Sequence, residues 1–430
     1  MKLWDKGYNI DDQIERFTTG RDRELDIDLA PYDVQGSMAH ANMLAQIGLL
    51  TAEENQQLQN ELKNIATEIS QGKFVINDGI EDVHSQVELL LTMRLGDVGK
   101  KIHLGRSRND QVLVDLRLFF RDQLSLIGDK SSDLIKLLLQ SADTHKDVLL
   151  PGYTHMQIGM VSSFGLWFSG YAEAILDDLE YLQSTRRCIN RNPLGTAAGY
   201  GSSIPLDRFQ TTTELEFEGL CVNPINAQIG RGKTELMVAN AIATMALSIN
   251  KMSMDICMFS NENYGFLSLP KEFTTGSSIM PHKKNPDVFE LIRAKCNTLM
   301  AVPAQLSMML GNLPSGYHRD FQLQKELIFP AIESMMEIID LIAHCIPNMI
   351  IRETKVYEKQ YHYLFSVELV NQYVQEGMSF RDAYKKVGLQ IENGTFVAPK
   401  VIDHTHIGSV GNLGTQLMLE RLELLKSKES

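Results

Sequence analysis

Cysteine is scarce in this chain. Five residues, Cys188, Cys221, Cys257, Cys296 and Cys345, are spread over 430 positions with no CxxC pair. An odd, dispersed set excludes a disulfide framework and a thiolate zinc site. Long apolar runs are missing too: nothing approaches the roughly 18 consecutive apolar residues of a membrane-spanning helix. The opening residues Met1-Lys2-Leu3-Trp4-Asp5 lack the apolar stretch of a signal peptide, so a cytoplasmic protein is expected. Positive charge is in deficit, with 41 Lys and Arg against 54 Asp and Glu, a formal net charge of −13. That balance disfavours nucleic acid and anionic membrane surfaces as partners. What remains is a globular composition, 43% apolar and 22% charged, in a chain long enough for two or three domains of roughly 150 residues.

Proline is absent between Pro31 and Pro151 and again between Pro224 and Pro270. Proline inside a helix removes a hydrogen bond and clashes with the previous turn, so these gaps permit long helices. They carry helical periodicity. Val238, Ile242, Met245, Ile249, Met252, Ile256 and Phe259 step alternately by four and three, with Ala239, Ala241, Ala243 and Ala246 widening the apolar face. Leu113, Leu116, Phe120, Leu124 and Ile127 form a second seam; Val161, Phe164, Phe168, Tyr171, Ile175, Leu179 and Leu182 form a third. Strand-like alternation is nearly missing. The expectation is an all-α protein built on an elongated helical bundle. Thr51-Ala-Glu-Glu54 reads as a capping box that opens one further helix. The boundaries expected are a small N-terminal helical domain at 1–102, a central bundle at 103–350 and a small C-terminal helical domain at 351–430.

Four segments interrupt the bundle pattern. Gly105-Arg-Ser-Arg-Asn-Asp-Gln111 precedes the first long helix, where Asn109 or Asp110 can cap it and free backbone N–H groups can receive an anion. Pro151-Gly-Tyr-Thr-His-Met-Gln157 reads as the end of one helix and the start of another, with His155 as a proton carrier or a structural histidine. Thr274-Thr-Gly-Ser-Ser-Ile-Met-Pro-His-Lys-Lys-Asn-Pro-Asp287 joins a Gly-Ser-Ser stretch to two lysines and a histidine between prolines, before an amphipathic start at Val288, Leu291 and Ile292. Cations on a flexible loop fit closure over an anionic substrate better than they fit a merely solvated turn. Asn312-Leu-Pro-Ser-Gly-Tyr-His-Arg-Asp320, with Gln322 and Lys325, is another basic turn. Local basic turns in an acidic chain point to a small negatively charged ligand. Ala227-Gln-Ile-Gly-Arg-Gly-Lys-Thr234 approaches a phosphate-binding loop, but its first glycine is missing and no strand is expected before it.

With these segments in view, the chain resembles the fumarase/aspartase superfamily and, within it, the argininosuccinate lyases. The superfamily loop G-S-S-x-M-P-x-K-x-N-P is complete from Gly276 to Pro286. Lys283-Lys-Asn-Pro-Asp287 and His103-Leu-Gly-Arg-Ser-Arg-Asn-Asp-Gln111 point to the narrower group. Asp33-Val-Gln-Gly-Ser37, Glu81-Asp-Val-His84, Gly152-Tyr-Thr-His155 and Leu313-Pro-Ser-Gly-Tyr317 match in the same order. The resemblance implies a homotetramer with a central twenty-helix core and active sites shared between subunits. It implies reversible β-elimination of argininosuccinate to L-arginine and fumarate, with no cofactor and no metal. By the same resemblance Ser277 is the base, Lys283 and Asn285 stabilise the carbanion and its carboxylate, and His155, hydrogen-bonded to Glu290, stands on the leaving-group side. Ser107, Arg108, Asn109 and Thr154 match fumaryl-side binders; Tyr317, Gln322 and Lys325 match other substrate contacts, with Asp82 and His84 near the site. The sequence departs from the pattern at Gly159-Met-Val161, Gly20-Arg-Asp-Arg23 and Gly232-Lys233. Those departures leave open whether the amine partner carries a free or an acylated α-amino group. An adenylosuccinate lyase, a non-catalytic crystallin-like homologue and a phosphate-loop hydrolase are the alternative readings.

Overall fold

A computed structural model describes residues 11–399, 402 and 404–427; Met1–Asp5 lies outside the described residues. The chain is helical, in agreement with the periodicity, and its contacts divide it into two compact units. The first comprises Met1–Ile127, Tyr181–Ala243 and Leu299–Ser334; the second comprises Gly128–Glu180, Thr244–Thr298 and Met335–Ser430. Each boundary falls inside a long helix: Arg108–Thr144, Phe164–Ile189, Lys233–Phe259, Asp287–Met309 or Lys325–Cys345. The apolar seams explain these helices. All seven residues of the Val238–Phe259 seam are buried, as are all five of Leu113–Ile127. Burying one such side chain is worth about 1.5–3 kcal/mol. In the third seam Tyr171 is only half-buried, because its hydroxyl is occupied by a polar partner. The 287–309 and 325–345 helices contain Pro303 and Pro330, which the proline-gap argument does not anticipate.

In the first unit, Thr51 opens the Ala52–Ser70 helix with a complete capping box: its hydroxyl accepts from Glu54 N at 3.1 Å and the Glu54 carboxylate accepts from Thr51 N at 3.0 Å. That helix packs on Ala30–Gln46 and on Val83–Leu95. The long helix from Arg108 secures irregular chain with buried arginines. Arg117 donates to Ile189 O and Arg121 to Leu215 O, each at 2.7 Å. Neutral carbonyls at these buried ends would otherwise be orphaned. Arg191–Asn192 and Gly219–Leu220 form a short parallel ladder.

In the second unit, Trp167 Nε1 and the Tyr171 hydroxyl donate to Asp255 at 3.0 and 2.7 Å, tying the 164–189 and 233–259 helices together. Gly165 allows close approach, since a Cβ there would lie 2.5 Å from Lys146 Cα. Leu149–Thr154 and Gln157–Ser163 form an antiparallel hairpin, and Leu267–Ser268 pairs with Ile350–Ile351. The hairpin corrects the expectation of a helix start at Pro151–Gln157. Helices Ser366–Gln375 and Phe380–Glu392 contribute to an apolar cluster that includes Val161, Leu369, Val387 and Phe396.

Two glycine substitutions separate packing from propensity. A Cβ on Gly99 would meet Leu91 O at 2.2 Å and Thr92 N at 2.7 Å, whereas one on the helical Gly388 meets nothing within 4 Å. Gly99→Ala is expected to destabilise by at least about 1–3 kcal/mol, and Gly388→Ala to stabilise by roughly 0.5–1 kcal/mol. Urea midpoints of the two variants check the opposite signs.

Candidate active site

A cavity of about 390 Å³ lies within the first unit. Its walls come from 22–26, 81–84, 103–112, Arg231 and 317–325. Six residues singled out from the sequence line it together: Ser107, Arg108, Asn109, Tyr317, Gln322 and Lys325. The start of the 108–144 helix is capped by Ser107 rather than by Asn109 or Asp110. Ser107 Oγ accepts from Asn109 N at 3.3 Å, while Asp110 reaches back to Ser107 N at 2.8 Å. Asp110 is instead a buried anchor whose other oxygen accepts from Gly195 N and Ala197 N, both at 2.9 Å. Burial pushes its carboxyl up to about 6 against those donors. The helix start therefore presents its positive end, Ser107 and Asn109 to the cavity, an arrangement suited to an anion. Arg106, also read as part of this basic turn, points into the core and donates to Ser37 Oγ at 2.9 Å.

The other cations of the cavity are matched by carboxylates. Arg108 Nε donates to Asp82 at 2.8 Å, and its Nη2 lies 2.9 Å from Glu81. Arg319 also pairs with Glu81. Lys325 is held between Asp22, at 2.6 Å, and Asp26. Burial works against the Lys325 charge, but Asp26 and Asp22 hold its pKa above the ordinary lysine value. Burial raises Asp22 to about 6 despite Lys325. Gln322 gives its amide N–H to Thr18 O and Thr19 O at 3.0 and 2.9 Å. Arg231 is the least matched cation. It is 5% exposed, lies over the Tyr317 and Phe321 rings at 4.8 and 5.3 Å, and its Nε and Nη1 meet no acceptor among the described residues. A buried guanidinium with donors to spare is a receptor for a carboxylate. The turn that carries it is not a nucleotide loop. The helix Pro224–Ile229 precedes it, Gly232 N is taken by Glu235 at 2.7 Å, and Lys233 is exposed.

His84, which lines the cavity, belongs to a cluster with Asp33 and Asp115, of which Asp115 lies in none of the matched motifs. His84 Nδ1 is 2.7 Å from Asp33 Oδ1 and 3.4 Å from Asp115 Oδ2, and all three side chains are at most 4% exposed. Burial disfavours the imidazolium, yet the Asp33 bond and the charges of Asp33, Asp115 and Asp82 raise His84 to about 9. Burial and Asp33 push the Asp115 carboxyl well above the usual range. Burial alone would raise Asp82 as well; His84, Arg108 and bonds from Ser85 instead hold it at about 2. Asp33, His84 and Asp115 are the one set of metal-donor atoms within 4.8 Å of each other among the described residues. With a proton on Nδ1 in the bond to Asp33, that nitrogen has no lone pair for an ion.

The remaining candidates, Thr154, His155, Ser277, Lys283, Asn285 and Glu290, belong to the second unit. His155 and Met156 form the two-residue tip of the hairpin, with φ of 54° and 60°. Positive φ at both positions is what a tight hairpin turn demands, and for non-glycine residues it stores strain. His155 and Thr154 are exposed. The 274–287 loop is closed at its base by Thr275 N to Asn285 O at 3.3 Å and Asn285 N to Thr275 O at 2.9 Å. At its crown Ser277 Oγ accepts from Ile279 N at 3.3 Å and Met280 N at 3.2 Å. Lys283 is exposed and, among the described residues, pairs with no carboxylate. Glu290 is exposed in the first turn of the 287–309 helix, beside a Leu291 that is 62% exposed, while Phe289 and Ile292 seal the inner face. Among the described residues no hydrogen bond within the chain joins His155 to Glu290.

Comparison with known proteins gives these features a context. A lyase family profile matches residues 10–301. The chain is 57% identical over 413 residues to an argininosuccinate lyase of Phocaeicola vulgatus, covering 96% of this chain and 93% of that one. It is 55% identical to the enzyme of the same name from Bacteroides thetaiotaomicron over the same shares. It is 41% identical to that of Stenotrophomonas maltophilia over 89% of each chain. In fold it is similar to a crystallised EDDS lyase (TM-score 0.77, 22% identity, 98% of this chain and 92% of that one). It is also similar to the class II fumarase of Schistosoma mansoni (TM-score 0.71, 16% identity, 88% and 91%).

The buried histidine gives a pH-dependent stability. Its folded pKa is raised, so its contribution is full below pH 6.5 and is lost as pH climbs through about 9. A rise from 6.5 to about 9 corresponds to about 3 kcal/mol. The gap in unfolding free energy between the native chain and His84→Gln is expected to narrow by about that amount between pH 6 and pH 9.5. Denaturant titrations at both pH values check it, and a gap that widens contradicts it.

Proposed function

The chain belongs to the lyase family and, within it, to the argininosuccinate lyases, and we propose that it carries out the reaction its relatives are named for, the reversible β-elimination of argininosuccinate to L-arginine and fumarate. It is a carbon–nitrogen lyase serving arginine biosynthesis. The observation that carries this reading is the complementary equipment of the two units. One holds a cavity with a helix start, Arg108 and an under-matched Arg231; the other displays Ser277 beside a free Lys283 and raises His155 on a hairpin.

The chemistry follows from the substrate. A proton on the carbon next to a carboxylate is weakly acidic, and its removal leaves a dianionic aci-carboxylate. Fixed positive charge must stabilise it. Ser277 is the base. Two backbone N–H groups already point at its oxygen, and closure of the loop brings Lys283 and removes water, which together favour the alkoxide. Lys283 and Asn285 take up the charge that develops on the carboxylate. On the opposite face His155, supported by Glu290, assists protonation of the departing guanidinium nitrogen. Ser107, Arg108, Asn109 and Thr154 hold the fumaryl carboxylates; Tyr317, Gln322 and Lys325 line the amine side.

The assembly is a homotetramer with a shared twenty-helix core and active sites shared between subunits. Three domains, at 1–102, 103–350 and 351–430, describe each subunit. No helix among the described residues is long and apolar enough to cross a membrane, and we place the enzyme in the cytoplasm. A dicarboxylate small molecule is the partner, with neither nucleic acid nor membrane.

Fumarate release from argininosuccinate, followed by ultraviolet absorbance, is the direct assay; release from adenylosuccinate alone would move the assignment to the sister enzyme. Ser277→Ala is expected to lower kcat by at least about 10³-fold while substrate still binds; undiminished turnover would remove Ser277 from the role of base. Lys283→Met is expected to lower kcat by orders of magnitude, and a change confined to KM would assign the lysine to binding alone.

A further inference from the structure

The cavity and the cluster beneath it form one alternating series of charges. Asp33 and Asp115 flank His84 Nδ1 at 2.7 and 3.4 Å. Two residues before His84, Asp82 accepts from Ser85 N at 2.9 Å through one oxygen and from Arg108 Nε at 2.8 Å through the other. Arg108 extends past Asp82 to Glu81, which also takes Arg319. His84, Asp82, Glu81 and Arg108 all line the cavity, whereas Asp33 and Asp115 do not. The two hidden acids sit on different elements, Asp33 in the 30–46 helix and Asp115 two turns into the 108–144 helix. The charged groups that face the cluster from elsewhere are Asp26, Asp82 and Arg106.

Asp115 is the odd member. Both its oxygens are buried without a hydrogen-bond donor among the described residues, as is Asp33 Oδ2. A buried carboxylate without donors is expensive unless a cation lies against it or it is protonated. Among the described residues the one cation that pairs with these two acids is His84, with Arg106 acting on them through its charge. A neutral His84 would leave Asp33 without its paired cation and would leave Arg108 as the one cation paired with Asp82 among the described residues.

We propose that Asp33 and Asp115 are positioning residues that keep His84 as an imidazolium, and that this buried charge, acting through Asp82, fixes the Arg108 guanidinium where a substrate carboxylate is received. His84 is then neither a base nor an acid in the reaction; its proton stays in place throughout. Asp33 faces Nδ1 most closely, at 2.7 Å, and Asp115 stands on its other side at 3.4 Å. Should His84 become neutral, Asp82 keeps Arg108 and Ser85 but loses the buried charge behind it, and its hold on Arg108 through Oδ2 slackens. The effect belongs to recognition, so it appears in KM before kcat. Only this kinetic part rests on the lyase reading.

The test has two arms. In the first, magic-angle-spinning 15N NMR of histidine-labelled native enzyme, with the His84 signals identified by their loss in His84→Gln, reports the ring directly. Both ring nitrogens are expected to stay protonated from pH 6 to pH 8, whether or not the protein turns over argininosuccinate. A neutral ring at pH 7.5 would overturn the proposal. In the second, the isosteric double variant D33N/D115N is expected to bring the His84 titration below pH 7. Its KM for argininosuccinate is expected to rise at least tenfold at pH 8 and to return to within about threefold of the native value at pH 6, with kcat changed less than threefold. An equal loss at both pH values, or a loss confined to kcat, would refute the positioning role. If the double variant does not fold, the native spectrum alone decides.

Discussion

Matched burial of opposite charges is the constraint on which the first unit depends. Asp22, Asp26, Asp33, Asp82 and Asp115 are all withdrawn from water, and so are His84, Arg106, Arg231 and Lys325. Removing one partner from such a set leaves an uncompensated charge at low dielectric, typically several kcal/mol. The set is therefore held as a unit, and the cavity inherits its shape. Arg108 is aimed by Asp82 and Glu81, and Lys325 by Asp22 and Asp26. Among the described residues Arg231 retains two unpartnered nitrogens, Nε and Nη1, whereas Arg106 retains one, Nε.

Much of this architecture was readable from spacing. The 3-4 seams from Leu113 and Val238 are buried along their whole length because each repeats on one face of a helix, and Thr51 with Glu54 forms the capping box that its spacing implies. The hairpin at His155 was not readable. Tyr153-Thr-His-Met-Gln157 carries none of the Asn-Gly or Gly-Gly signals that mark a two-residue turn, and the strands on either side alternate weakly. Tertiary packing of Leu149, Leu150 and Val161, rather than turn chemistry, decides the conformation there. Pro303 and Pro330 escaped for the opposite reason: each sits inside a helix whose apolar face overrides a local breaker.

Within the site, motif residues emerged from the sequence while their supports did not. Ser107, Arg108, Asn109, Tyr317, Gln322 and Lys325 fall around one cavity as expected. Asp33 stands in a matched segment, Asp33-Val-Gln-Gly-Ser37, that carries no assigned role, and Asp115 was invisible as a functional group because it reads as one more acid on an otherwise ordinary helix. The available signal was positional. Asp115 lies beside Val114 and Leu116 and shares the inward face of its helix, where an unpaired carboxylate is rare. Arg231 was likewise concealed by the false resemblance of its surroundings to a nucleotide loop. Only the structure shows its guanidinium turned inward over Tyr317.

The hairpin that carries His155 differs in kind from the loop that carries Ser277. Paired strands support the histidine up to its last residue, and Tyr153 braces them edge-on against Tyr264 with ring centroids 5.7 Å apart. Among the described residues the serine loop is tied at its neck, between Thr275 and Asn285 and from the Thr275 hydroxyl to Asp287. The histidine and the serine are thus mounted on supports of unequal stiffness, a post and a latch.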